Sequence, residues 1–216
     1  FATERVVTIH LGEPAAVSTE PPARPPDGRL AALDGAPFVV SIATEERRKG
    51  LPLAIEAFER LADEDADLRL VLAGAPGDDA AAVSAAIDAA TPRARRRIVR
   101  LGPVDEPTKR WLLARAAVLA YPSLDEGFGF PILEANAARV PVVATAVGSV
   151  PEIAGEAAAL VDGRDPSDFA RAVRSVIADD DRRRHLIEAG EHNLSRFRRS
   201  TTAEGLVGHY EKAHAS

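Results

Sequence analysis

The chain has 216 residues, a formal net charge of −6 at pH 7, and 46% hydrophobic and 28% charged residues, which is ordinary for a soluble globular protein. This length allows one large α/β domain or two small ones. The acidic balance argues against a general nucleic-acid binder, the absence of cysteine excludes disulfides and thiolate metal sites, and no apolar run approaches the ~18 residues of a membrane span.

The first 37 residues are predicted to lie outside the regular part of the fold. Residues 6–10 favour a short strand, and residues 12–37 are rich in Pro and Ala, which is typical of an extended linker. Residues 30–33 favour one helical turn. Because the chain begins with Phe1 and not with methionine, we expect that part of the protein is missing before it.

From Phe38 onward, short apolar strands alternate with longer helices. This alternation predicts an α/β fold with a doubly wound, Rossmann-like parallel sheet over residues 38–200 and a closing helix within residues 201–216. The predicted strands are 38–42, 68–73, 98–101, 117–121, 140–145 and 157–161. The predicted helices are 50–62, 79–90, 105–116, 127–138, 148–155, 165–178, 180–195 and 202–215.

Ligands of such sheets bind beyond the carboxyl ends of the strands. Five loops of this kind carry glycine or polar residues and should converge at one edge. The convergence is a stronger signal than any single loop. The loops are residues 44–49, 74–75, 102–104, 121–126 and 145–148.

A basic cluster of Arg47, Arg48 and Lys49 follows the first of these strands. Cations there can reach a diphosphate, and arginine can bind it through two parallel hydrogen bonds. Cations at the start of a helix oppose the helix dipole. The position therefore favours an anion-binding role over a solvated helix start.

The segment from Glu126 to Glu134 places two carboxylates eight positions apart, a little over two helical turns. With a helix beginning near Gly127, both would lie on nearly the same face. The unpaired amides at a helix N-terminus suit a phosphate, and glycine at 127 and 129 lets a ligand approach the backbone closely. A nucleotide-sugar needs hydrogen-bond donors for its phosphates and, beside them, carboxylates that accept its sugar hydroxyls.

Together these motifs resemble the C-terminal, donor-binding domain of GT-B fold, retaining glycosyltransferases of family 4. The resemblance covers nearly all of the chain from Phe38 onward. It is carried by SIATEERRKG (41–50), LVLAG (70–74), VRLGPV (99–104), AYPSLDEGFGFPILEA (120–135), VPVVATAVGSVPEIA (140–154) and AALVD (158–162).

The resemblance implies a role for each charged residue of these motifs. Lys49 would hold the donor diphosphate, with Arg48 beside it. Glu126 would accept hydroxyls of the transferred sugar and is the candidate catalytic residue, and Glu134 would hydrogen-bond the ribose. Many family members have an arginine at the position of Thr44; here Arg48 would supply the second cation instead.

The resemblance also implies contacts from backbone and loop residues. Amides around residues 128–131 would face the sugar and the distal phosphate, and the loop from 102 to 104 would lie against the base. Aromatic side chains at 128 and 130 more often pack in a core than bind a ligand. The candidate substrate-binding residues of this kind are Gly102, Val104, Phe128, Gly129, Phe130 and Pro131.

The implied function is the nucleoside-diphosphate-sugar binding domain of a retaining hexosyltransferase. The donor would be a GDP-sugar or a UDP-sugar, the activity that of a mannosyl- or glucosyltransferase, and the acceptor a glycan, a lipid or a small molecule. No cofactor and no metal are expected. Two alternatives stay open: a non-catalytic nucleotide-sugar-binding module, and a separately encoded subunit that needs a partner chain.

In the family that the chain resembles, the acceptor site lies in an N-terminal domain. The resemblance therefore implies such a domain as the main partner, residues 1–37 as its end plus a Pro-rich linker, and little transfer by this chain alone. Leu206, Val207 and Tyr210 fall at helical spacing on the last helix, where they would face that domain, form a homodimer or stay exposed. We expect no nucleic-acid partner and no direct membrane span. The expected location is the cytoplasm, with contact to the inner membrane face, if any, through the preceding domain.

Overall fold

The computed structural model describes residue 11 and residues 22–214, apart from the side chain of Arg199. The strand predicted at residues 6–10 and residues 12–21 of the predicted linker lie outside these residues. No helix in the described part is long and apolar enough to cross a membrane.

Six parallel strands of the described chain form one sheet, in the order β3-β2-β1-β4-β5-β6. The order runs outward from β1 in both directions, which makes the sheet doubly wound. The predicted Rossmann-like α/β fold is therefore confirmed. The strands are β1 (Phe38–Ile42), β2 (Arg69–Ala73), β3 (Ile98–Gly102), β4 (Val118–Tyr121), β5 (Val142–Thr145) and β6 (Ala158–Val161).

Helices cover both faces of the sheet, so the central strands are mostly apolar. Val40, Leu119 and Val142 are fully buried. Helices α1, α2 and α7 pack on one face, and α4, α5 and α6 on the other. The helices are α1 (Leu51–Ala62), α2 (Ala80–Ala89), α3 (Pro92–Arg95), α4 (Glu106–Arg115), α5 (Phe130–Ala137), α6 (Val150–Ala154), α7 (Pro166–Ala178), α8 (Asp180–Leu194) and α9 (Arg199–His214).

Aspartates fix the starts of three helices close to their predicted positions. Asp105, Asp165 and Asp179 each accept a backbone N–H of the first turn of α4, α7 and α8, at distances of 2.8–3.0 Å. Such side-chain caps satisfy amides that have no partner inside the helix. The starts of these three helices could therefore be predicted from the sequence.

Two predicted helix starts are wrong. Helix α5 begins at Phe130 and not near Gly127, because Gly129 adopts a left-handed φ of 118° that keeps the preceding residues in a loop. Helix α9 begins at Arg199 and not at Thr202, since the Thr202 N–H already donates to the Arg198 carbonyl at 3.2 Å.

The predicted linker is also too long at its C-terminal end. The helical turn predicted at residues 30–33 is present as a 3-10 turn, Gly28–Leu33. Leu30 is fully buried and Leu33 is 4% exposed, and both pack into the core on the α4 side of the sheet. Burial of these two leucines makes the turn part of the domain, which therefore begins before residue 38.

Candidate functional site

The strand order reverses between β1 and β4, and the crevice at such a point is where open α/β sheets bind ligands. The loops that leave these two strands meet there. The Leu124 N–H donates to the Arg48 carbonyl at 2.7 Å. Gly50 has a φ of 59°, and a Cβ at this position would lie 2.2 Å from the Pro122 carbonyl oxygen. The close approach requires a glycine at 50. It brings the basic cluster beside the loop between β4 and α5 that contains Glu126, called the Glu126 loop below.

The crevice contains a buried ion pair. Lys49 Nζ lies 2.6 Å from Glu126 Oε1, and Arg48 Nη1 lies 3.4 Å from Glu126 Oε2. The Ser123 hydroxyl also donates to Glu126 Oε1 at 2.8 Å. The side chain of Glu126 is 6% exposed and that of Lys49 13%. Three of the predicted site residues thus meet at one carboxylate.

The ion pair sets the protonation state of Glu126. Burial alone would raise the pKa of its carboxyl, but the hydrogen bonds from Lys49 and Ser123 and the nearby Tyr121 hydroxyl outweigh that effect and hold the pKa below its usual value. Burial raises the pKa of Tyr121 far above its usual range, and the neighbouring Glu126 carboxylate adds to this rise. The crevice at neutral pH therefore contains an ionised glutamate beside a neutral tyrosine.

The loop after β5 fixes the backbone of the Glu126 loop. Ser149 donates its backbone N–H and its hydroxyl to the Glu126 carbonyl at 3.1 and 3.0 Å. The same hydroxyl lies 2.8 Å from the Phe128 carbonyl. A Cβ on Gly148 would lie 2.4 Å from the Glu126 carbonyl oxygen. The loop therefore presents the carbonyl groups of Glu126 and Phe128 to Ser149.

The start of α5 offers backbone donors. Within the described part of the chain, the amides of residues 127–130 have no protein acceptor. Pro131 has no N–H to offer. The Phe128 ring is half-buried and packs 4.7 Å from the Phe130 ring and 5.9 Å from the Phe197 ring. The two phenylalanines shape this loop, and the amides beside them suit an anion.

Glu134 faces a different partner from Glu126. Lys109 Nζ on α4 lies 2.8 Å from Glu134 Oε1 and 2.9 Å from Glu106 Oε2. Because α5 begins only at Phe130, Glu126 lies outside the helix, and the prediction that both carboxylates share one helix face is wrong. The sequence analysis missed Lys109, although its place near the N-terminus of α4, next to a strand's carboxyl end, was a usable signal.

Hydrogen bonding keeps Lys109 charged. Burial would lower the pKa of its ammonium group, but the hydrogen bonds to Glu134 and Glu106 outweigh burial and raise the pKa above its usual value. The salt bridge between Lys109 and Glu134 therefore holds one cationic and one anionic side chain between α4 and α5.

Gly102 and Val104 lie at the same edge of the sheet, beyond β3. Gly102 adopts a φ of 68°, and its carbonyl accepts the Gly74 N–H at 2.9 Å. Val104 is half-buried against the core on the α4 side. Arg29 donates to the Leu101 carbonyl, so the 3-10 turn supports this loop. Among the described residues, no hydrogen bond or ion pair joins this loop directly to Lys49 or Glu126.

An open cleft borders the ion pair on its outer side. Its volume is about 540 Å³, within the usual size of small-molecule pockets. Cations and acids alternate around it. The lining residues are Glu46, Arg47, Arg48, Asp78, Leu124, Asp125 and Arg164. In the part of the chain that the structure describes, no group of three or more His, Cys, Asp or Glu side chains is arranged to hold a metal ion.

Residues 28–193 match the family model described as glycosyl transferases group 1. The chain belongs to this family. The match begins at the buried 3-10 turn and includes every site residue described above.

Curated relatives are longer than this chain. It is 33% identical over 184 residues to a D-inositol 3-phosphate glycosyltransferase of Corynebacterium kroppenstedtii, covering 82% of this chain and 41% of the relative. It is 30% identical over 177 residues to the serotype-specific mannosyltransferase WbdA of Escherichia coli, covering 81% of this chain and 22% of WbdA. The chain thus spans well under half the length of these relatives.

Solved structures show the same fold. A sucrose-phosphate synthase from Thermosynechococcus elongatus is 24% identical, with a TM-score of 0.73 over 87% of this chain and 48% of that one. Anabaena HepE, solved in complex with UDP and glucose, is 21% identical, with a TM-score of 0.72 over 84% of this chain and 50% of HepE. Each likeness covers about half of the solved chain.

Proposed function

We propose that this domain binds the nucleoside diphosphate part of an activated hexose, as the donor-binding half of a retaining glycosyltransferase of the GT-B, family 4 type. The observation that supports this most strongly is the meeting of Arg48 and Lys49 with Glu126 at the strand-order reversal. Cations for a diphosphate and a carboxylate for sugar hydroxyls lie within 3.4 Å of each other there.

The free amides at the start of α5 complete the phosphate site in this proposal. When the bond between the anomeric carbon and the distal phosphate breaks, negative charge grows on the diphosphate. In this proposal Lys49, Arg48 and these amides would stabilise that charge without a metal ion, as an oxyanion site does. Glu126 then accepts hydroxyls of the sugar, and Glu134 those of the ribose.

The free structure already holds the proposed acceptors in place. Lys49 is bonded to Glu126 at 2.6 Å, and its ammonium group has two further N–H donors for a diphosphate. Glu134 is likewise bonded to Lys109. Each proposed acceptor is held in place by a lysine before the ligand arrives, which reduces the entropy lost on binding.

The choice of sugar follows from the relatives and is part of the proposal. One relative is a mannosyltransferase and another a D-inositol 3-phosphate glycosyltransferase, and HepE was solved with UDP and glucose. A mannosyl or glucosyl donor carried by GDP or UDP is consistent with all three. The acceptor would bind a second domain, since the chain spans about half of the solved enzymes that it resembles.

Calorimetry with two glutamate variants tests the proposed roles. We expect Glu134→Ala to weaken UDP or GDP through the ribose, and Glu126→Ala to spare the plain nucleotide but weaken the nucleotide-sugar. Each lost hydrogen bond from a charged group should cost about 1.5–3 kcal/mol. Identical effects of both variants on a sugar-free nucleotide would contradict the division of roles.

A radiolabelled-donor assay tests whether the domain acts in transfer. We expect no measurable transfer by this chain alone and transfer after an N-terminal acceptor domain is supplied. A non-catalytic module would bind donor but give no transfer in either case. A chain that transfers the sugar unaided would contradict the two-domain proposal.

A further inference from the structure

A second buried ion pair lies just behind the basic cluster. Glu45 is 3% exposed, and Arg100 Nε donates to its Oε1 at 2.6 Å while Arg100 Nη2 donates to its Oε2. Arg100 belongs to β3, and Glu45 follows β1, two strands away in the sheet. The guanidinium also donates to the Ser84 hydroxyl of α2 at 2.9 Å. A carboxylate this deeply buried requires such a partner.

The backbone N–H and carbonyl of Glu45 are also both hydrogen-bonded. Its N–H donates to the Ala75 carbonyl at 2.9 Å, and its carbonyl accepts the Asp79 N–H at 2.8 Å. A Cβ on Gly77 would lie 2.7 Å from that carbonyl oxygen. Every polar group of Glu45 thus has a protein partner, and its role is to join the loop after β1 to the loop after β2.

The basic turn, Arg47–Lys49, starts two residues later and is fixed at both ends. On one side stands Glu45, and the Arg47 N–H donates to Asp78 Oδ1 at 3.0 Å. On the other side, the Arg48 carbonyl accepts the Leu124 N–H. Between these two anchors the side chains of Arg48 and Lys49 reach Glu126. A small shift of Glu45 would therefore also move the side chains of Arg48 and Lys49.

We propose that Glu45 is a positioning residue: through its buried pair with Arg100 it holds the basic turn where the cations receive the donor's diphosphate. This inference rests on the function proposed above. Glu45 touches no ligand in it. Its effect reaches the diphosphate through the placement of Lys49 and Arg48, because charged contacts lose strength quickly when their geometry loosens.

Two variants weaken the anchor in different ways. Glu45→Gln keeps the volume and removes the charge, and Arg100→Lys keeps the charge but removes the paired hydrogen bonds. We expect each to weaken UDP and GDP binding about tenfold, equal to about 1.4 kcal/mol. Uridine and guanosine affinities, measured by the same calorimetry, should change less than about twofold. Amide hydrogen exchange at residues 46–50 should accelerate in both variants.

Val176→Ala is the matched control. Val176 is fully buried on α7, so its truncation destabilises the domain through a cavity without touching the basic turn. UDP and GDP affinities of this variant should equal those of the unchanged protein. Arg100→Lys carries the test on its own if Glu45→Gln fails to fold.

The outcomes separate this inference from the proposed function. The positioning role is overturned if folded Arg100→Lys binds UDP and GDP as tightly as the unchanged protein and its amide hydrogen exchange at residues 46–50 is unchanged. Equal losses for nucleosides and diphosphates overturn it as well. If the unchanged protein binds neither UDP nor GDP, the proposed function fails, and the exchange measurement alone still decides whether Glu45 holds the turn.

Discussion

The crevice between β1 and β4 and the last helix, α9, differ in how completely their side chains find partners. In the crevice, Lys49 and Glu126 are bonded to each other and nearly buried. On α9, Leu206, Val207 and Tyr210 are 44%, 55% and 74% exposed, as predicted for an apolar stripe without a partner. A ligand of the crevice would meet side chains that are already paired, whereas a partner on α9 would add contacts to an open surface.

Glycine-to-alanine changes in the two regions should give the largest contrast. Gly50→Ala places a Cβ 2.2 Å from the Pro122 carbonyl in a left-handed conformation, so we expect the free energy of unfolding to fall by about 3 kcal/mol or more. Gly208→Ala lies in α9 with no neighbour within 4 Å and should raise it by up to about 1 kcal/mol. Urea denaturation measures both, and similar effects would show that the two regions are equally tolerant.

Lys49→Ala should have the next largest effect, this time on binding. We expect a loss of about 1.5–3 kcal/mol for a nucleoside diphosphate, the range for hydrogen bonds to charged groups, and almost none for the free nucleoside. The exposed Lys212 of α9 supplies the control, Lys212→Ala, which should leave both affinities unchanged. Calorimetry showing equal losses for nucleotide and nucleoside would remove Lys49 from the phosphate site.

The acid sensitivity of the crevice gives a smaller effect. The folded pKa of Glu126 is lowered, so the stabilisation from its carboxylate is complete above the unfolded pKa, about 4.3, and is lost as pH falls through the folded pKa. We expect Glu126→Gln to be less stable than the unchanged protein by about 1–2 kcal/mol at pH 7. Urea unfolding should show this gap narrowing below pH 4; a gap independent of pH would mean that Glu126 gains nothing from ionisation.

Polar substitutions on α9 should change stability least. Val207→Ser with Tyr210→Ser removes the most exposed apolar side chains, and we expect the free energy of unfolding to stay within about 0.5 kcal/mol. Sedimentation should instead reveal reduced self-association, because the unchanged protein is expected to dimerise with concentration. Leu160→Ser, at a residue 38% exposed on β6, is the control that should leave association unchanged. A protein that is monomeric at all concentrations would refute this expectation.

The fold could be predicted because its signals are local. Each strand is a short apolar run, and aspartates mark the starts of α4, α7 and α8. The start of α5 could not be placed, since the loop conformation depends on Gly129 at a positive φ, and a glycine is also compatible with a helix start. Leu30 and Leu33 were assigned to a linker because the prolines around them are typical of extended, exposed segments, and nothing local indicates that the two leucines are buried.

The residues of the candidate site could be predicted, but their partners could not. The sequence indicated Lys49, Glu126 and Glu134, and the structure shows that Lys49 bonds Glu126 while Glu134 bonds Lys109. Such pairs join segments that are far apart in sequence, so they follow from the strand order and not from spacing. The pair of Glu45 and Arg100 was missed for the same reason, because β2 lies between their strands.

The pairing of both cations with acids has a consequence for how fast a ligand arrives. Arg48 lies 2.7 Å from Glu46 as well as beside Glu126, so the two cations of the free crevice are balanced by two acids, in a chain whose net charge is −6. An approaching anion therefore meets almost no long-range attraction. The rate of association should therefore change little with ionic strength. Discrimination among anions would then depend on the contacts made inside the crevice, where the ammonium group of Lys49 is already held by Glu126.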